Sequence, residues 1–462
     1  MKKIKRTILL ILFIVPAIIG IIGYVKAGYN GWDTAYLVIR MYLFDADTFG
    51  NNLWIEIARW TAPIFTVSSV VILLKKFIGN IKNFFIGRFF DSVALYGDAE
   101  MKAIVKANIK HAIIAENDEP IDAKSHMIMF SADEKSLAFY EKNKEKLCGE
   151  VFIKLEKNDI FTVCLDEVKF FNPCEIIARS FWQKHDIRKV LHENKMKIAI
   201  VGSDILARKI LTYGLLNNVY SLTQEIEYHV WSDNHLFEEI HNDFQTMNGD
   251  RILYRDNGSA QKVFEIASAD RIIITETLDH EMIGEIAKMA KGEIYCFDPN
   301  GSFVNIFEYK NIYPFGRYAD VITAENIRTD HLYQAAKALN HQYAVAYAED
   351  PQNLPTMEGA WNKLDAFTKG SNVASTDYHK IRQIVMRETG KTAVDEELSE
   401  MEHIRWCRYH FINHWKYGET ANGKKDTTNK IHPCLKPYAE LKKEDQIKDA
   451  EGIQVLLSLK NI

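Results

Sequence analysis

The densest cluster of chemistry-bearing residues lies late in the chain, between Glu402 and Tyr438. Trp406, Tyr409, Trp415 and Tyr438 supply flat faces on which an adenine could stack. Arg405 and His432 supply donors for phosphate or ribose oxygens, and Glu402, three residues earlier, would orient the Arg405 guanidinium. Together they would hold a small nucleotide-like ligand, with adenine nucleotides and NAD-related molecules as the matching chemistry. The same residues also make sense without a ligand. Trp406 and Trp415 would then be the core of a small domain, Glu402 and Arg405 its internal ion pair, and Arg405, Arg408 and the lysines of 424–443 a solvated surface.

Two glycine turns raise a second chemistry. A dinucleotide loop needs glycines so that backbone amides can approach a pyrophosphate at a helix N-terminus. Gly202-Ser203-Asp204 keeps the first glycine but places Asp204 where the middle one belongs, and Asp233 stands where a ribose-binding acid would sit. Gly97 to Lys102 keeps one glycine and adds Asp98 and Glu100. The Gly202 turn fits a nucleotide site, or both turns fit a scaffold retained for shape. A nicotinamide-dependent enzyme is disfavoured, since no separate substrate domain with an acid–base pair accompanies them. Gly418 to Lys425 nearly spells a P-loop, but Lys425 replaces the magnesium-binding hydroxyl and a helix precedes it. Cys407, His410 and His414 share a helical face without a second ligand cluster, so no metal is expected. His331, Tyr333, His341 and Tyr343, on a helix expected over 326–348, read as packing or surface residues.

The elements that must position the C-terminal cluster follow from spacing. Ile404, Cys407, Phe411 and Trp415 recur at helical intervals as a buried stripe, opposite a mixed side of Glu402, Trp406, Tyr409 and Asn413. Gly418 is expected to stop that helix. His432-Pro433 and Lys436-Pro437-Tyr438 fix an extended turn, and Leu441 opens a second, charged helix. This order resembles the RyR domain, the repeat described in ryanodine receptors and found in bacterial proteins. The residues carrying the resemblance are Glu402-His403-x-Arg405-Trp406, Trp415-x-Tyr417-Gly418, His432-Pro433-x-Leu435-x-Pro437-Tyr438, Leu441 and Asp449, over roughly the last eighth of the chain. Ser371, Asn372 and Asp377 resemble the stretch preceding these motifs, while Ser371 or Asn372 would equally cap a helix start. The resemblance implies a ligand surface of Ser371, Asn372, Glu402, Arg405, Trp406, Tyr409, Trp415, Tyr417, His432, Pro433, Pro437 and Tyr438.

Upstream, short apolar runs alternate with helical segments, which predicts parallel α/β sheets. Strands are expected at 93–97, 112–116, 127–130, 151–155 and 168–171, closed by a helix at 173–184. A second set is expected at 197–202, 227–231, 252–254, 271–275, 293–297 and 312–315. Two such lobes in succession resemble the TrkA-N or RCK modules that gate potassium channels and transporters.

The first eighty residues have a different character. Residues 7–25 carry no charge after a basic start, and 53–74 form a second apolar run with Lys75, Lys76, Lys82 and Arg88 behind it. Both are long enough to cross a bilayer core of about 30 Å, and the flanking charges place both termini inside. Glu56 and Arg59 would pair on one helix face. A short helix expected at 33–44 makes the layout resemble the pore module of potassium channels, without its glycine-rich filter. Thr48-Phe49-Gly50 is a faint echo of that filter, and Asp45 and Asp47 could draw cations to a pore mouth. A plain membrane anchor with an interfacial helix fits as well.

Composition bounds the rest. The chain has 462 residues, a formal charge of -5 and six cysteines without a C-x-x-C pair. That disfavours nucleic-acid binding and suits reduced thiols. The expected order is a membrane α-hairpin (1–82), two Rossmann-like lobes (88–190 and 195–325), a connecting helix and linker (326–360), and a mainly α RyR domain (361–462). The expectation is an inner-membrane, non-enzymatic ligand sensor, a nucleotide-gated channel or pore-forming effector. Conduction would require a homo-oligomer, a tetramer by analogy. A non-conducting anchored scaffold is the alternative.

Overall fold

The computed structural model describes residues 2–45, 52–157, 160–163, 168–188, 191, 193–276, 280–302, 309–329, 331–346, 348, 353–420 and 423–459. Inside helices, the side chains of 2–9, 12, 72, 73, 75, 76, 80 and 280 fall outside that description. Two units result, Met1–Phe90 and Asp91–Ile462.

The first unit is a long helix, a short helix and a longer helix: α1 (Lys2–Lys26), α2 (Gly31–Tyr42) and α3 (Leu53–Phe89). Asn30 caps α2 by accepting the Asp33 amide at 2.9 Å. α1 and α3 meet at small residues. A Cβ on Gly23 would stand 2.7 Å from Ile55 Cγ1, and Ala58 and Ala62 are fully buried. Thr66 of α3 donates to the Tyr42 carbonyl at 2.6 Å, fastening the end of α2. Glu56 and Arg59 pair as spaced, at 3.3 Å. Both α1 and α3 continue through a proline, Pro16 and Pro63. Among the described residues no helix is long and apolar enough to cross a membrane, so the two expected spans are not shown. Residues 7–9 and 12 of the first span, and 72 and 73 of the second, lie outside the described side chains. Leu10, Phe13, Trp60, Phe77 and Phe84 nevertheless stand exposed on these helices.

The second unit begins with a five-stranded parallel sheet: β1 (Val93–Gly97), β2 (Ala112–Ile114), β3 (Ser125–Met129), β4 (Glu150–Lys154) and β5 (Val168–Phe171). Their order is β2-β1-β3-β4-β5. Helices α4 (Ala99–Asn108) and α5 (Asp133–Asn143) make its crossovers, and α6 (Pro173–Lys184) leaves it. The second sheet contains β6 (Lys195–Val201), β7 (Glu225–Trp231), β8 (Arg251–Arg255), β9 (Arg271–Ile274), β10 (Glu293–Phe297) and β11 (Ile312–Phe315). It is ordered β11-β10-β9-β6-β7-β8, the doubly wound order with its switch point between β6 and β9. Helices α7 (Ile205–Asn217), α8 (Leu236–Ile240), α9 (Lys262–Ala267) and α10 (His280–Met289) connect it. Every expected strand is present, because runs such as Ile198 to Val201 and Arg271 to Ile274 are buried on both faces.

The helix expected over 326–348 is split into α12 (Ala324–Arg328) and α13 (His331–Ala346), after a short α11 (Tyr318–Val321). Then come α14 (Met357–Asn362), α15 (Ala366–Thr389), α16 (Glu396–Ile412), the paired strands β12 (Lys416–Tyr417) and β13 (Ile431–His432), and α17 (Lys443–Ser458). One apolar core runs through the whole unit, from Val93 and Phe181 through Ile198 to Tyr378, Leu398 and Ile404.

Candidate functional site

α16 is the helix on which the site is built. Asp395 starts it by accepting the Leu398 amide at 2.9 Å, and Glu396 and Glu397 sit in its first turn, where acids favour the helix dipole. It ends at Ile412, six residues before Gly418, with His414 in the left-handed region at φ 64°. The expected division into a buried and a mixed side does not hold. Twelve of the seventeen residues of α16 are buried, because the second lobe packs on one side and the C-terminal turn and α17 on the other. Cys407, Phe411 and Trp415 do share one small core with Leu435.

Two arginines expected at the surface are interior. Arg408 is fully buried and spends its whole fork on the second lobe, reaching Asp250 at 2.6 Å, Asn248 at 2.7 Å and the Thr246 and Leu215 carbonyls at 2.7 and 2.8 Å. Arg405 is not a free phosphate donor either. It is 1% exposed and bonds Glu402 at 2.7 Å from Nη2. Glu402 also takes Arg382 and, at 3.3 Å, the Ser375 hydroxyl. Burial alone would raise the Glu402 carboxyl, but Arg405 and Arg382 hold it below the usual range. The internal ion pair is thus what these residues form, since a buried carboxylate without its guanidinium groups would be costly.

Beside this network a cavity of about 170 Å³ opens between α16, the turn after β13 and α17. Trp406 forms one wall, with His432 edge-on to it at 4.9 Å. His432 Nδ1 accepts the Cys434 amide at 3.1 Å, which leaves Nε2 as its donor. Burial, then nearby Lys425, lowers the His432 pKa to about 4. Lys448 and Asp445, paired at 2.7 Å, stand at the rim. The floor is His403, whose Nδ1 faces Asp449 at 3.3 Å and whose Nε2 faces the Lys436 carbonyl at 2.9 Å. Both ring nitrogens face acceptors, an arrangement that favours the imidazolium. Burial opposes this, but hydrogen bonds to Asp449 and Cys407 lift its pKa to about 10. The cavity is below the roughly 300–1,000 Å³ of sites for drug-sized ligands, so it admits one ring-sized group with the remainder outside.

The other expected residues fall elsewhere. Trp415 is core, and Tyr409 is buried with its hydroxyl on the Phe367 carbonyl at 2.7 Å. Tyr417 is exposed and bonds Glu419 at 2.9 Å. Pro433 and Pro437 shape the turn, and Tyr438 is buried with its ring 5.8 Å from His403. Ser371 and Asn372 lie inside α15 rather than at its start, where Asp365 caps the Thr368 amide at 2.7 Å. Asp377 is locked to Arg179 of α6 at 2.6 and 3.0 Å. Cys407 contacts His403, whereas His414 stacks on His241 at 5.0 Å, so the three thiol and imidazole groups have different neighbours. His403, Lys448 and Asp449 line the cavity but were not singled out as ligand residues. The signal was the run Asp445, Lys448, Asp449, which repeats at helical spacing on α17.

The glycine turn of the second lobe is closed by its own side chains. Asp204 caps α7, accepting the Ala207 amide at 2.7 Å and the Thr275 hydroxyl at 2.9 Å. Ser203 Oγ accepts the Asp233 amide at 2.9 Å, and the Asp233 carboxylate takes Asn257 at 2.8 Å. A Cβ on Gly202 would lie 2.1 Å from Thr275 Oγ1. That glycine therefore serves strand packing, and a carboxylate fills the place a phosphate needs. In the first unit Asp45 pairs with Arg40 at 2.7 Å, while Asp47, Thr48, Phe49 and Gly50 lie outside the described residues.

Comparison with known proteins gives three findings. Residues 380–460 match the RyR domain family, from the second half of α15 through α17. No curated protein matches the chain. A solved structure described as the crystal structure of GsuK bound to ADP matches with a TM-score of 0.34 and 11% identity, over 69% of this chain and 96% of that chain.

Proposed function

We propose that the chain is a membrane-anchored ligand sensor, without enzymatic activity, whose RyR module takes a small nucleotide-like ligand beside α16. The observation that carries this reading is the double commitment of α16. Trp406 walls the cavity, and two residues later Arg408 is bolted into the second lobe. A base stacked on Trp406 and bonded by His432 Nε2, with its phosphates toward Lys448, would bias the packing of α16 against that lobe. The self-capped glycine turn supports placing the ligand in the RyR module rather than in the lobes. α3 ends at Phe89 and β1 starts at Val93, so the sensor joins the N-terminal helices through a short connector. Asp91 in that connector is held by both terminal nitrogens of Arg328, at 2.8 and 2.7 Å.

The N-terminal helices are read as the membrane anchor of an inner-membrane homo-oligomer with a cytoplasmic sensor. Their exposed apolar side chains support that reading, since soluble surfaces rarely carry such patches. The detergent-solubilised full chain should be titrated with adenine nucleotides and NAD-related molecules by calorimetry. Trp406→Ala should weaken binding on the order of 10- to 100-fold, the worth of about 1–3 kcal/mol of base stacking. Binding that is unchanged in Trp406→Ala and His432→Ala would place the ligand elsewhere.

A further inference from the structure

A cavity of about 690 Å³ lies at the outer edge of the second sheet, between α8, residues 241–250 and β8, the strand that ends the sheet. Its size falls within the roughly 300–1,000 Å³ of small-molecule sites. Thr246, Asn248 and Asp250 line it and also hold Arg408, so the cavity adjoins the joint between the second lobe and α16. Two lining residues carry an orphaned nitrogen. Asn248 Oδ1 accepts Arg408 at 2.7 Å and the Asp250 amide at 3.0 Å, which fixes the side chain with Nδ2 as its donor end. That Nδ2 and the Nδ1 of His241 are both shielded from water, and among the described residues neither has a hydrogen-bond partner. Buried polar atoms are ordinarily saturated. Two that are not, on residues of one cavity, mark a place that a bound molecule completes.

The lining defines the kind of molecule. Its charged groups are already matched, Asp250 by Arg408 and Arg251 by Glu227, while Glu238 faces His235 at the surface. His241 is neutral at ordinary pH, since burial, then His414, lowers its pKa to about 4. A ligand of net charge would therefore add an unpaired ion. The apolar part of the lining is Phe244, Met247, Ile252 and Tyr254, two of them flat rings. We propose that this cavity binds an uncharged nucleobase or nucleoside. Such a heterocycle presents donors and acceptors along its edge, an acceptor for Asn248 Nδ2 and a matching group for His241 Nδ1, and its faces suit the two rings. Occupancy would brace the segment that holds Arg408, independently of the site beside Trp406.

The test uses the full chain in detergent carrying Trp406→Ala, so that the site beside Trp406 does not dominate the signal. The four ribonucleosides are the probes, read by calorimetry and by thermal unfolding. At least one should bind and raise the melting temperature. Benzene, which fills the space without either hydrogen bond, should bind at least about 10-fold more weakly. His241→Phe keeps a ring against His414 and removes both nitrogens, and Asn248→Asp keeps the acceptor for Arg408 and removes the donor. Each should lower the nucleoside affinity about 10-fold. His241 is partly exposed, so its variant retains the fold and decides the matter if Asn248→Asp unfolds. No binding by any of the four nucleosides, benzene binding as tightly as they do, or an unchanged affinity in His241→Phe overturns the proposal.

Discussion

At the scale of single residues, the C-terminal module is organised by buried charge. Arg408 and Asp250 are both shielded from solvent, so removing one strands the other. Arg408→Ala should destabilise the chain by about 3–5 kcal/mol, measured as a shift in the urea midpoint, whereas a value below about 1 kcal/mol would mean the pair is solvated. The histidines give a signed pH dependence. His241, His410 and His432 are held near 4, 3 and 4, chiefly by burial, below the ordinary value of about 6.5. Their neutral forms stabilise the fold fully above that value, and the contribution is lost as pH falls toward 4, where the unfolded chain binds more protons. His403 works in the opposite sense. With its pKa raised to about 10, its contribution is complete below about 6.5 and disappears as pH rises through 10. Urea midpoints against pH should fall on both sides of neutrality, and His403→Gln should flatten only the alkaline side.

At the scale of elements, the strands were readable and the central helix was misread. Runs such as Ile198 to Val201 announce buried parallel strands by composition alone. For α16 a stripe was expected, and three of its four residues do share a core. What spacing could not show is that Glu402, Tyr409 and Arg408 are buried as well, because their partners come from other elements: Arg382 for Glu402, the Phe367 carbonyl for Tyr409 and Asp250 for Arg408. The same limit applies to Ser371 and Asn372, which look like caps until Asp365 is seen to start the helix. Asp204 shows an element-scale consequence. Asp204→Ala should cost about 0.5–2 kcal/mol through the lost cap of α7, read by thermal unfolding. It should not confer NAD binding, because Ser203 and Asp233 still close the turn. Tight NAD binding by that variant would reopen the second lobe as a ligand site.

At the scale of the whole molecule, the sensor reading makes one functional prediction. The full chain reconstituted in lipid vesicles should form a homo-oligomer and pass ions when the nucleotide-like ligand is added. A Trp406→Ala protein should require on the order of 10-fold more ligand for the same flux. Oligomers that bind ligand without any flux would favour the anchored scaffold instead. The amino-acid sequence by itself determined the two parallel sheets, the RyR match of the C-terminal stretch and the helix–short helix–helix layout of the start. Each is local information, carried by periodicity or by an ordered motif within a few tens of residues. Only the tertiary structure decided that Arg405 and Arg408 are internal, that His403 and Asp449 floor the cavity, and that Asp204 closes its own turn. Those outcomes depend on which distant groups arrive within 3 Å or so, the reach of a hydrogen bond. Spacing along the chain does not encode that reach.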